Sequence, residues 1–286
     1  MVVSPSSPPQ VRCRQIRTSD VEAVAELLAR GFPVKPRKYW TKALERLAAH
    51  GAPEGCPTFG FLLEADGHVV GVQLLIFSER GGEVRCNVSS WYVEPAHRGH
   101  AAILASMASK LKHVTYVNTS AAEHTWPILQ ALGYRKYSQG QLAAVPVLKG
   151  GPALKVKTLS ESEDIGDLPE RELLQAHADA GCLVLICHAP EGPAPFVFLR
   201  RKLAGMPFAA MQLIYARSTE DFAACAGPLG RRLLRHGAPL VICDAPAPVA
   251  GLAGLWFARR GPRYFKGPSE PRLNDLAFTE MVVFGP

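Results

Sequence analysis

One short segment carries the clearest chemistry in the chain: Val93-Glu94-Pro95-Ala96-His97-Arg98-Gly99-His100-Ala101-Ala102-Ile103. A run of strand formers ends at Val93. Two histidines, an arginine and a glycine follow Pro95, and an Ala- and Leu-rich stretch begins at once. The first backbone N–H groups of a helix have no intrahelical acceptor. The helix dipole adds partial positive charge at the same end. Together they form an anion site suited to a phosphate or pyrophosphate. The N–H groups of Arg98, Gly99, His100, Ala101, Ala102 and Ile103 are the candidate donors. Gly99 and the alanines let the backbone approach a ligand closely. The Arg98 guanidinium adds a cationic fork, and His97 and His100 add side-chain donors. A tight strand–turn–helix connection without a ligand is the other reading of the same residues.

The strand before this loop carries several polar side chains. Asn87, Ser89 and Trp91 alternate, which sets them on one face, while Cys86, Ser90 and Tyr92 share the other. Glu83 is the carboxylate of this strand, close to the preceding turn.

The elements that must position these groups follow from periodicity. Residues 11–16 alternate as a half-buried strand. Ser19-Asp20-Val21-Glu22 has the capping-box pattern, and Val21, Val24, Ala25 and Leu28 then recur on one helical face. A second helix over 37–50 follows Pro36. Asp66-Gly67 and Gly81-Gly82 are two-residue hairpin turns, giving a three-strand meander over 59–65, 69–78 and 84–93. The helix after the loop runs over 101–112, with Ile103, Leu104, Met107 and Leu111 as its buried stripe. A strand near 113–120, a helix that Pro127 starts late or kinks, a terminator at Gly133 and a further strand complete a first domain, 11–145.

Residues 146–154 hold two glycines and two prolines in a short span and read as a linker. After it the order repeats loosely over 155–286: a strand, a helix, a meander turning near Gly192 and Gly205, a helix capped by Ser218 and running to His236, and a strand near 239–244. The 251–265 stretch reads as helix, Gly and aromatic strand, and 276–284 as a last strand. Residues 1–10, rich in Pro and Ser, read as a disordered leader. The fold class is α/β in the α+β sense, with a mixed, mostly antiparallel sheet flanked by helices in each of two tandem domains.

Hydrophobic residues make up 48% of the 286 positions and charged ones 20%, enough for a sizeable core. No apolar run approaches the roughly 20 residues that span a bilayer. Seven cysteines with no Cys-x-x-Cys pair argue against a zinc site or a disulfide framework, and for a reducing, cytoplasmic setting. No metal is expected. The net charge is +7, and residues 1–150 hold 17 Lys and Arg against 11 Asp and Glu. That excess suits an anionic small ligand. Without a Lys/Arg run or basic–aromatic interleaving it does not suggest nucleic acid.

With its element order and the segments around Val93–Pro95, Arg98-Gly99 and Ala131-Leu132-Gly133-Tyr134, the chain resembles the GCN5-related N-acetyltransferase (GNAT) superfamily over residues 11–145, and more faintly beyond. The resemblance implies a fold that binds acetyl-CoA or another acyl-CoA as a substrate. The loop would hold the pyrophosphate, and the backbone of Trp91, Tyr92 and Val93 would hydrogen-bond the pantetheine arm. The implied reaction is direct transfer of the acyl group to an amine of a small molecule or peptide. Here the family's later loop glycines are Ala101 and Ile103. In the family the general base is often a carboxylate on the meander's third strand, or a water held by polar groups there, which makes Glu83, Asn87 and Ser89 the candidate catalytic residues. The family's usual acid, a tyrosine four residues before the glycine, is Leu129 here, so a water or another hydroxyl would take its place. Two alternatives remain open: a non-catalytic binding or scaffold protein on the same fold, and a transferase using long-chain acyl-CoA or acyl carrier protein. No membrane partner is expected.

The second copy lacks the Pro-x-x-Arg-Gly loop. At the matching point Glu220 and Asp221 stand in the first turn of the helix, where they favour the helix but repel a pyrophosphate. This copy is therefore expected not to bind coenzyme A. Arg231, Arg232 and Arg235, and Arg259, Arg260, Arg263 and Lys266, read as two solvated basic clusters.

Overall fold

A computed structural model describes residues 11–162, 168–203, 205 and 207–285. The leader expected over residues 1–10 lies outside the described residues. By packing the chain divides into two units, Met1–Tyr116 and Val117–Pro286.

The first unit opens with β1 (Arg12–Gln15), α1 (Val21–Gly31) and α2 (Arg37–His50). The meander follows as β2 (Gly60–Ala65), β3 (His68–Arg80) and β4 (Glu83–Val93). Its turns are those the sequence announces. Asp66, Gly67, Gly81 and Gly82 all take positive φ, between 50° and 78°, as two-residue hairpins with a matching twist require. A 3₁₀ turn, Pro95–His100, leads into α3 (Ala101–Ala108), and β5 (Thr115–Asn118) crosses the boundary between units. The sheet runs β1-β2-β3-β4-β5, with antiparallel ladders from β1 to β4.

Helices cover both faces of this sheet. Val24, Ala25, Leu27 and Leu28 of α1 and Trp40, Ala43, Leu44 and Leu47 of α2 are buried. The opposite face is covered by α3, which packs on β2 and β3. Two local expectations change here. The helix after the loop ends at Ala108, and its buried residues are Leu104, Ala105 and Ala108, while Ile103 is 51% exposed. The Ser19–Glu22 capping box does not form: Asp20, not Ser19, stands at the N-cap of α1, and its side chain makes no cap bond. Its carboxylate instead accepts the Arg17 N–H at 2.7 Å and pairs with the Arg14 guanidinium, because residues Thr18–Asp20 form their own 3₁₀ turn.

The second unit contains α4 (Trp126–Ala131), β6 (Arg135–Ser138), β7 (Gln141–Ala144), β8 (Lys155–Thr158) and α5 (Arg171–Asp179). Next come β9 (Leu183–Ala189), β10 (Gly192–Lys202), β11 (Ala209–Tyr215) and α6 (Thr219–Arg235). It ends with β12 (Leu240–Asp244), β13 (Gly254–Phe257), β14 (Arg263–Lys266) and α7 (Glu280–Val283). Its large sheet has the order β13-β7-β12-β11-β10-β9-β8. The run β8 to β12 repeats the neighbour order of β1 to β5, and β11 and β12 are parallel. One core lies between this sheet and α6, around Phe196, Phe198, Phe222 and Leu229. A second lies on the other face, around Leu174, Ile186, Val197 and Val282.

Within the second unit β7 forms antiparallel ladders with β12 and β13, and β6 pairs with β14. The expected linker is also packed. A Cβ at Gly227 would lie 2.4 Å from the Lys149 carbonyl oxygen, and one at Gly230 would lie 2.2 Å from the Val147 nitrogen. Only glycines in α6 let the 146–150 segment approach this closely. Two C-terminal expectations are corrected. The 251–258 stretch is no helix, because Gly254 lies against Ala143 in the β13–β7 ladder. The 276–284 stretch is no strand, because Asn274 and Phe278 adopt φ of 60° and 56°, and α7 follows.

Candidate active site

β4 is not regular. Register pairs Ile76 with Asn87, Leu74 with Ser89 and Val72 with Tyr92. Three steps along β4 therefore match two along β3, which is a β-bulge. Ser90 takes φ 52° to make it, a conformation costly for a residue with a Cβ. Opposed residues share a face, so the bulge resets the alternation. Asn87, Ser89 and Tyr92 now stand on the α1 side. A Cβ on Gly31 of α1 would lie 2.4 Å from the Tyr92 ring. Trp91, expected beside Asn87 and Ser89, is returned to the α3 side. A bulge also leaves backbone groups outside the ladder, at the point where the strand meets the loop.

Beyond the bulge, Glu94 is held by Arg30 at 2.9 Å. His97 N–H donates to the Glu94 carbonyl, and Ala101 N–H to the Arg98 carbonyl. The turn thus uses the Ala101 donor internally. Arg98, Gly99, Ala102 and Ile103 are exposed, and Arg98 makes no ion pair among the described residues. Gly99 has no positive φ, and a Cβ there would meet no atom within 4 Å. Neither packing nor backbone geometry demands glycine at this point. His100 precedes α3 with its Nδ1 shielded and without a hydrogen-bond partner among the described residues. Ile103 points outward and does not fill the loop.

The candidate catalytic residues separate. Asn87 and Ser89 are 2% and 6% exposed, close to the bulge. The Ser89 hydroxyl lies 3.1 Å from the hydroxyl of Ser90. Glu83 stands at the other end of β4, opposite Arg80 at the hairpin. At about 3.3 Å per residue it is some 23 Å from Ser90, so the structure does not bring it to the loop. Cys86 is fully buried, and burial pushes its thiol well above the ordinary range. It is no nucleophile. Leu129 is 2% exposed and brings no hydroxyl.

Two polar groups escaped the sequence. Ser90 gave no signal, because alternation assumes an unbroken ladder. Gln73, opposite the bulge, is 4% exposed, and its Oε1 has no partner among the described residues. On the same face a cavity of about 180 Å³ opens among Phe61, Leu75, Phe77, Met107, Leu111 and Tyr116. Burial raises the Tyr116 phenol, which accepts the Leu111 N–H at 3.0 Å.

In the second unit, the start of α6 is already occupied. The Ser218 hydroxyl accepts the Asp221 N–H at 3.0 Å, and Asn274 donates to the Thr219 hydroxyl. Arg232 pairs with Glu161. Arg263 is 6% exposed by side chain and bonded to Asp244, so it does not belong to a solvated cluster. Among the described residues there is no group of three His, Cys, Asp or Glu able to hold a metal, and no helix long and apolar enough to cross a membrane.

No protein-family model matches the chain, and no curated protein does. Solved structures do. A GCN5-related N-acetyltransferase from Kribbella flavida superposes with a TM-score of 0.55 at 13% identity, covering 90% of this chain and 71% of that one. A second, from Anabaena variabilis, gives 0.55 at 9% identity over 90% and 72%. Eis1 from Mycobacterium abscessus gives 0.50 at 14% identity over 93% and 74%. The fold is that of the GCN5-related N-acetyltransferases, and its two sheets make a tandem of two such units.

Proposed function

We propose that the chain is an acyl-CoA-dependent N-acyltransferase, with the donor bound on the first unit at the junction of β4, the Pro95–His100 turn and α3. One observation carries this reading: the strand bulges at Ser90 and then leads into a turn whose Gly99 faces open space. Arg98 beside it has no ion-pair partner among the described residues. A glycine demanded by neither φ nor packing, next to a free guanidinium at a helix start, supports an anionic ligand approaching the backbone. Arg98, Gly99, His100, Ala102 and Ile103 would meet the pyrophosphate, and the backbone of Trp91, Tyr92 and Val93 the pantetheine arm. Ala101 would contribute only its small size, because its N–H is engaged.

The chemistry needs no covalent enzyme intermediate. The amine nitrogen attacks the thioester carbonyl carbon. A backbone N–H freed by the bulge steadies the developing oxyanion. The C–S bond then breaks and the thiolate takes a proton from solvent. The amine's proton leaves through a water held by polar groups such as Ser89, Ser90 and Asn87. The acceptor is a small-molecule or peptide amine. α6 with its capped start binds no coenzyme A.

Calorimetry with acetyl-CoA tests the reading. Binding in the micromolar to submillimolar range is expected, and Arg98→Glu should weaken it at least tenfold by replacing a charge-assisted contact with a repulsion. No heat up to millimolar ligand sinks the proposal. A second reading, a binding protein without turnover, is favoured by the buried leucine at position 129. Coenzyme A binding without thioester cleavage across a broad amine panel would select it.

A further inference from the structure

Two buried polar atoms near the bulge lack partners, and they are complementary. Among the described residues Gln73 Oε1 is an acceptor without a donor, and Trp91 Nε1 is a donor without an acceptor. Gln73 lies between Val72 and Leu74, which face α1, so it faces α3. Trp91 directly precedes Tyr92 and faces α3 as well. The two sit across the β3–β4 ladder at the bulge, where two residues oppose one. A shielded polar group without a partner is costly, and here two of opposite kind are kept on one face. Phe61, opposite Gln73 in register, and Leu75, two residues on, line the cavity on this same side.

We infer that Gln73 and Trp91 grip one secondary amide of the donor's arm: the ligand N–H donates to Gln73 Oε1, and the ligand C=O accepts from Trp91 Nε1. A secondary amide is the simplest group that offers both halves at once, and a pantetheine arm carries such amides. The inference rests on the acyl-CoA reading and adds to it a pair of side chains specific to this chain. Gln73 and Trp91 are positioning residues, and neither takes part in the acyl transfer.

The test compares coenzyme A with adenosine 3′-phosphate 5′-diphosphate, which keeps the phosphates and lacks the arm. Gln73→Met preserves volume and removes the acceptor. Trp91→Phe keeps a ring and the backbone N–H and removes the donor. Each should weaken coenzyme A about tenfold, the worth of one well-made buried hydrogen bond, and leave the arm-free nucleotide unchanged. A structural role is separated by melting temperature. Removing an unpartnered buried acceptor leaves the melting temperature of Gln73→Met unchanged or higher. An unchanged coenzyme A affinity in both variants, equal weakening of both ligands, or a fall of many degrees in Gln73→Met overturns the inference while leaving the acyl-CoA reading in place. Wild-type protein that binds neither ligand overturns both.

Discussion

The Asp244–Arg263 pair sets up the sharpest energetic prediction. Arg263 Nε and one terminal nitrogen reach the two Asp244 oxygens at 3.0 and 3.1 Å, with side chains 6% and 1% exposed. Gln141 adds a bond to Asp244 Oδ1 at 3.3 Å. Asn274 accepts the Asp244 N–H at 2.8 Å and donates to the Asp244 carbonyl at 3.1 Å. Strands β7, β12 and β14 meet in this network. Burial disfavours the Arg263 charge, yet Asp244 more than offsets it, so the guanidinium is held above its ordinary range. Removing one partner leaves a buried charge uncompensated, which costs about 3–5 kcal/mol. For a unit of this size each kcal/mol moves the midpoint by roughly 2–4 °C. Asp244→Asn, which keeps the shape, should therefore lower the second unit's melting temperature by about 6–20 °C in calorimetry, and Arg263→Met by a similar amount. The double variant Asp244→Leu/Arg263→Met replaces both charges with apolar groups. It should recover most of the loss, because the desolvation of the pair disappears with it. A fall below about 2 °C for Asp244→Asn, or a double variant as damaged as the two single losses combined, would refute the reasoning.

Further outcomes follow from single positions. Ser90 holds a left-handed φ, so Ser90→Gly should stabilise by roughly 0.5–1 kcal/mol in urea unfolding and Ser90→Val should destabilise by more than that; a destabilising glycine would mean the bulge is not strained. In Gly31→Ala the new Cβ meets the Tyr92 ring at 2.4 Å, and a loss of about 1–3 kcal/mol is expected, relieved when Tyr92→Leu is added. Glu161 is held down to about 2, first by the Thr158 N–H and then by Arg232. Its folded value is below the unfolded one near 4.5, so its stabilisation is full above pH 4.5 and lost as pH falls toward 2. Carboxylate NMR should show titration near 2 for Glu161, and a midpoint at 4 or above would contradict the pairing.

The first unit was legible where local chemistry decides structure. Asp66-Gly67 and Gly81-Gly82 can turn only one way, so the meander and the lengths of its strands followed. Pro95, Arg98 and Gly99 marked the strand–turn–helix junction because residue type alone signals a turn there. The second unit was less legible at its C-terminal end. Gly251-Leu-Ala-Gly reads as helical by composition, but Gly254 is recruited into a ladder opposite Ala144, a partner more than a hundred positions away. Arg263 looked like surface because its counter-charge, Asp244, is close only after β12 and β14 are folded. The bulge was hidden for a related reason. Alternation places Trp91 with Ser89 only if β4 stays in step with β3, and the extra residue is visible only in the register against Val72 and Leu74. That one-residue slip moves Tyr92 to the α1 side and Trp91 to the α3 side. Residue types around Arg98 mark the turn and the helix start, whereas the face that each β4 side chain takes depends on a pairing between strands that no local pattern encodes.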